Sequence, residues 1–110
     1  MDDQTQVLRV SALVELRESD RGGRLTPIAN KYRPNLKING VDGYAGFLLG
    51  EGLTMAPGAC GVVELAMVGT ASFLSEVKLG RLFSIHEGSR QVGKGSIEAI
   101  IEGSVNEFLI

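Results

Sequence analysis

The segment VLRVSALVELR, residues 7–17, alternates apolar and polar positions over a full strand length. Leu8, Val10, Ala12, Val14 and Leu16 fall on one face, and Arg9, Ser11, Glu15 and Arg17 on the other, with Leu13 the exception. A strand points successive side chains to opposite faces, whereas a helix would send Leu8 and Val10 to different sides. The segment therefore reads as a strand with one buried face. Such a strand cannot stand alone, because its apolar face needs a second layer and its edges need partners.

The partners are visible further along the chain. Leu36 and Ile38 alternate with Lys37 and Asn39, and NGVDG after them is turn chemistry. YAGFLLG reads as a more apolar strand, and MAPG offers Pro57 and Gly58 to the central positions of a type II turn. In CGVVELAM, Val63, Leu65 and Met67 share one face and Glu64 takes the other. GTASFLSEVKLG fits either a loop or one helical turn. RLFSIHE and RQVGKGSIEAII are two more strands, joined at EGSR by a tight hairpin. Gly93 and Gly95 in the last strand predict a bulge or a close approach by another backbone.

Six strands with turn signals between them and no clear helix point to an all-β domain, either a small closed barrel or a sandwich. Closure has the advantage of removing exposed edges. The 110 residues suit one domain. The strand signals divide the chain into an N-terminal tail at 1–6, the β domain at 7–101 and a C-terminal tail at 102–110. That second tail ends on three apolar residues, able to dock, to join copies or to fray.

Catalytic chemistry is hard to find. VGKGS comes closest to a phosphate-binding loop, but it lacks the upstream glycine spacing and lies within a strand, so no nucleotide is expected. Cys60 and His86 are single copies, which excludes a His/Cys metal cluster within one chain and any internal disulfide. Cys60, in an apolar strand, reads as a small core residue, and His86, one residue before the hairpin, as a surface histidine. Asp2 and Asp3 sit in a tail that cannot hold acid–base geometry, and their charge is wrong for a secretory leader. No stretch approaches the ~18 apolar residues of a membrane span. The expectation is a cytoplasmic, non-enzymatic protein without cofactor or metal, and with no DNA, membrane or nucleotide partner.

Charge is the uneven feature. The chain carries −2 overall, yet Arg17, Arg21, Arg24, Lys31, Arg33 and Lys37 face only Glu18 and Asp20 within residues 17–37. That segment is +4 and the remainder −6. It is either a solvated loop or a surface for phosphates.

Three motifs in order, GGRLTPIANKYRP, MAPG and FSIHEGSRQVGKGSI, resemble the third domain of elongation factor Tu and related translational GTPases. The resemblance spans about residues 7–101. It implies a closed six-stranded antiparallel β-barrel that performs no chemistry, packs against neighbouring protein domains and touches the T-stem backbone of aminoacyl-tRNA. Carried over by motif, Arg24, Asn35, Glu87 and Gly88 would lie near the RNA-facing surface. An A-form stem is read through phosphates and 2′-hydroxyls, so guanidinium and backbone N–H groups suffice for such a contact. The sequence departs from the family at His86, where an arginine is usual, and at Ser89, where a second glycine is usual. Asp42 and Glu51 add negative charge near the same side. The GTPase domain and middle barrel have no counterpart in these residues, so GTP hydrolysis and tRNA delivery are not expected.

The motifs also have an architectural reading. Tyr32 can close the barrel mouth, Arg33 can anchor a neighbouring strand, and Gly22 and Gly23 can supply positive φ. Three functions follow as expectations. The first is a stand-alone module for protein contact, with a translation-factor partner or with itself, supported if Leu13, Phe47, Leu109 or Ile110 form an exposed apolar stripe. The second is binding of tRNA or another structured RNA through Arg24, Lys31, Arg33, Asn35, Lys37, Glu87 and Gly88. The third is an enzyme using Cys60.

Overall fold

Asn39 and Gly40 both take positive φ, 50° and 81°, and turn the chain between the paired residues Ile38 and Val41. Two left-handed residues in a two-residue loop match the twist of the strands they join, so the Asn–Gly pair sets this hairpin's register. The computed structural model describes residues 5–101. Its strands are β1 (Gln6–Leu16), β2 (Ile28–Ala29), β3 (Asn35–Ile38), β4 (Val41–Leu48), β5 (Thr54–Met55), β6 (Cys60–Gly69), β7 (Leu82–Glu87) and β8 (Arg90–Ile100). A single helical turn, α1 (Ala71–Leu74), follows β6.

Six of these strands close into an antiparallel barrel in the order β1-β6-β4-β3-β7-β8, with β8 returning to β1. The two short strands, β2 and β5, pair with each other outside the barrel. Alternation is kept as the sequence implies: Val10, Ala12, Val14 and Leu16 point inward with Leu36, Ile38, Leu65 and Met67. Phe47 is fully buried, so it belongs to the core and not to an exposed stripe.

Turns do the rest. Gly58 has φ 88° and the Ala59 N–H donates to the Ala56 carbonyl at 3.0 Å, the type II turn expected of MAPG. Gly88 has φ 64° and begins the two-residue β7–β8 hairpin. The last strand shows both features that its glycines predict. Pairing passes from Ile85 with Gly93 to His86 with Gln91, leaving Val92 as a bulge whose carbonyl accepts from the Arg17 N–H at 2.8 Å. At Gly95 a Cβ would stand 2.5 Å from the Phe83 ring and 2.7 Å from the Leu13 carbonyl.

The ambiguous segment after β6 is the helical turn. Thr70 caps it, its hydroxyl accepting from the Phe73 N–H at 3.4 Å. The cap aims the fully buried Phe73 onto Gly43 and Gly69, where a Cβ would lie 2.5 and 2.6 Å from the ring.

Candidate functional site

The basic segment begins just beyond β1, where the chain makes a 3₁₀ turn over Ser19–Arg21. Gly22 supplies the positive φ, 89°, whereas Gly23 is needed for space, since a Cβ there would stand 2.1 Å from the Arg17 carbonyl. Both constraints deliver Arg24 to the barrel wall. Its Nε donates to the Thr26 carbonyl and its Nη2 to the Thr26 hydroxyl, each at 3.1 Å. The guanidinium lies 4.8 Å over the Tyr32 ring, and Nη1 is ion-paired to Oε2 of Glu87. Tyr32 donates its phenolic O–H to the same carboxylate oxygen at 2.5 Å. Its ring meets Phe47 edge-on, with centroids 5.2 Å apart, so the polar cluster is keyed to the core.

Protonation is set by this arrangement. Partial burial of Glu87 favours its neutral form, but the hydrogen bonds from Tyr32 and Arg24 and the charges of Arg24 and Arg90 outweigh it and lower the pKa. Tyr32 moves well above its usual value, first through burial and then through its bond to an anion. Burial opposes the charge on Arg24 too; Glu87 more than restores it, and the pKa rises.

The predicted site residues thus separate into two groups. Arg24 and Glu87 are brought together but bind each other. Asn35 and Lys37 project from the outer side of β3, and Gly88 caps the neighbouring hairpin. These three line a groove of about 460 Å³ with Asp42, His86 and Ser89. The Lys37 Nζ is 3.7 Å from Asp42 Oδ1, and His86 Nε2 is 2.7 Å from the Ser84 hydroxyl. Arg33 is stacked 5.4 Å from the centre of the Tyr44 ring. Lys31 is exposed, in a left-handed bend of φ 73° whose N–H donates to the Phe47 carbonyl at 2.8 Å.

Cys60 departs from expectation. It is exposed, because its register partner is the outward-facing Glu15, while the inward positions of β6 begin with the other parity at Val63 and Leu65. It stands beside a surface of which the sequence named one member, Leu13, both as the exception on β1 and as part of a candidate apolar stripe. Val62 pairs with Leu13 across β6 and β1, Leu13 with Ser96 across β1 and β8, and Ser96 with Leu82 across β8 and β7. The result is an outward row, Val62–Leu13–Ser96–Leu82, in which the leucines and valine are 64%, 39% and 71% exposed in the order Val62, Leu13, Leu82. Beside it runs the row Cys60–Glu15–Lys94–Ser84. A groove of about 190 Å³ separates the two, lined by Leu13, Glu15, Cys60, Leu82 and Lys94. The sequence signal was Leu13, the apolar residue on the polar face of β1. Leu109 and Ile110, named with it as a possible stripe, lie outside the described residues.

Among the described residues no group of three or more His, Cys, Asp or Glu side chains is placed to hold a metal ion. No helix among them is long and apolar enough to cross a membrane. No protein-family model matches the chain. What fold and surface define together is a small closed β-barrel with an apolar row on its outer wall.

Proposed function

We propose that this chain is a non-catalytic binding module whose barrel wall contacts another protein, and that it is related to the third domain of elongation factor Tu. The single observation that carries the protein-contact reading is the row Val62–Leu13–Ser96–Leu82. Three large apolar side chains aligned on one face of a closed barrel have no role in its core, and contiguous apolar surface is characteristic of contact sites. The relationship rests on the three sequence motifs and on their agreement with a six-stranded antiparallel barrel. RNA binding has less support, because Arg24 and Lys37 already face the carboxylates of Glu87 and Asp42.

Photo-crosslinking in cells separates the two. A photoreactive residue at position 13 is expected to yield protein adducts, and one at position 37 to yield no RNA adducts. Absence of protein adducts from position 13, with RNA adducts from position 37, overturns the reading in favour of RNA.

A further inference from the structure

We propose that the partner at this wall is a second copy of the chain, an inference that rests on the protein-contact reading above. Charge makes the surface self-complementary. Glu15 and Lys94 are register partners on β1 and β8, next to the apolar row. Both are exposed, and among the described residues neither takes part in an ion pair. They line the groove beside Leu13 and Leu82, and a second depression of about 280 Å³ with Arg17 and Gln91.

A two-fold axis lying between β1 and β8, parallel to the strands, exchanges β1 with β8 and β6 with β7. Each residue of a register row then faces the mirror position in the same row of the other copy. Val62 meets Leu82 of the second copy, Leu13 meets Ser96, and Glu15 meets Lys94, with all three contacts made twice. Apolar side chains cover apolar side chains at the outer strands, and the acid and base that do not bind each other within one chain bind across the interface. The other two-fold in that plane, perpendicular to the strands, would set Glu15 against Ser11 and leave both charges unmatched. An isologous contact of this kind closes at the dimer. Its small apolar content places it among weak, concentration-dependent interfaces.

Sedimentation velocity from roughly 1 µM to 1 mM tests it. The wild-type mass is expected to rise with concentration from the 11.7 kDa of one chain to twice that value and no further. Glu15→Lys alone and Lys94→Glu alone should each weaken association about tenfold or more, since each places like charges in opposition twice. An equimolar mixture of the two variants should associate again: the introduced lysine then faces the introduced glutamate, and native Lys94 faces native Glu15. That recovery acts between chains, so it cannot come from repair of the cross-strand pair within one chain. Circular dichroism checks that both variants remain folded.

A mass that stays at 11.7 kDa throughout, or a mixture no better than its components, overturns the proposal. If the chain stays monomeric while position 13 still crosslinks to a different protein, self-association falls and the module reading stands. If neither occurs, both fall.

Discussion

Arg24, in the loop after β1, and Glu87, the last residue of β7, are 63 positions apart in the chain and form one ion pair under the cover of Tyr32. Their side chains are 21% and 29% exposed, so neither charge is well solvated and each depends on the other. Removing one partner leaves the other half-buried and unmatched, which costs more than the pair contributes in net terms. Glu87→Gln is expected to lower unfolding free energy by about 1–2 kcal/mol at neutral pH, measured by urea denaturation. Glu87 has a folded pKa below its unfolded value, so its contribution is full above the unfolded pKa and disappears as pH falls through the folded one. The gap between wild type and variant should therefore close on acidification below about pH 4. A gap that persists there would assign the loss to packing and not to charge.

Tyr32 gives the opposite pH limb. Its phenol loses its proton later in the folded barrel than in the unfolded chain, where tyrosine ionises near pH ~10. Above that pH the unfolded state binds fewer protons than the native one, and stability falls as pH rises. A phenolate absorbance titration of native protein should show a phase well above pH ~10, and Tyr32→Phe should remove it. The same variant should lose about 1 kcal/mol at neutral pH, the net value of one hydrogen bond. Survival of the late phase in Tyr32→Phe would show that Tyr32 is not its source.

Phe73 and the two glycines beneath it form a packing unit with a sharp tolerance. A methyl group at Gly43 would meet the Phe73 ring at 2.5 Å, closer than any relaxed contact allows. Gly43→Ala is expected to cost about 1–3 kcal/mol, as overpacking does. Combined with Phe73→Leu, which shortens and narrows the side chain above it, the alanine should cost measurably less than it does alone. Strict additivity in thermal unfolding would mean that the ring is not what excludes a side chain at position 43.

Period-two patterning in the sequence was enough to place β1, β3 and β6, because each has an inward face that the barrel buries, whereas β4 showed as an apolar run and β7 and β8 as two runs flanking a tight turn. The β2–β5 pair left no such trace: two residues on each strand are too few to show a period. Gly23 was legible as special, but its reason was not, since the obstacle is the Arg17 carbonyl brought close by the fold. The Arg24–Glu87 pair shows the same limit. A basic stretch with no acid between Arg24 and Lys37 invites a phosphate, whereas the acid of Arg24 arrives from another strand once the chain has closed. Cys60 was misplaced because its residue type was read instead of its parity: it shares the face of Glu64 on β6 and pairs with the outward Glu15.

That pairing of Arg24 also changes how any RNA experiment must be controlled. Arg24→Glu would set two carboxylates against each other beside Tyr32, so it is expected to lower stability by about 2 kcal/mol or more whether or not RNA is a ligand. A lost RNA signal in that variant would report the barrel's integrity. Lys31→Glu is the informative change, because Lys31 is exposed and its backbone, not its side chain, makes the contact to Phe47. Its thermal midpoint should stay close to wild type, within the range of ordinary surface substitutions. In a salt series with tRNA, the protein-contact reading predicts only non-specific affinity that collapses with salt, and no more than a modest change on Lys31→Glu. Saturable binding at physiological salt, lost in Lys31→Glu with stability intact, would move the ligand from the apolar wall to the basic loop.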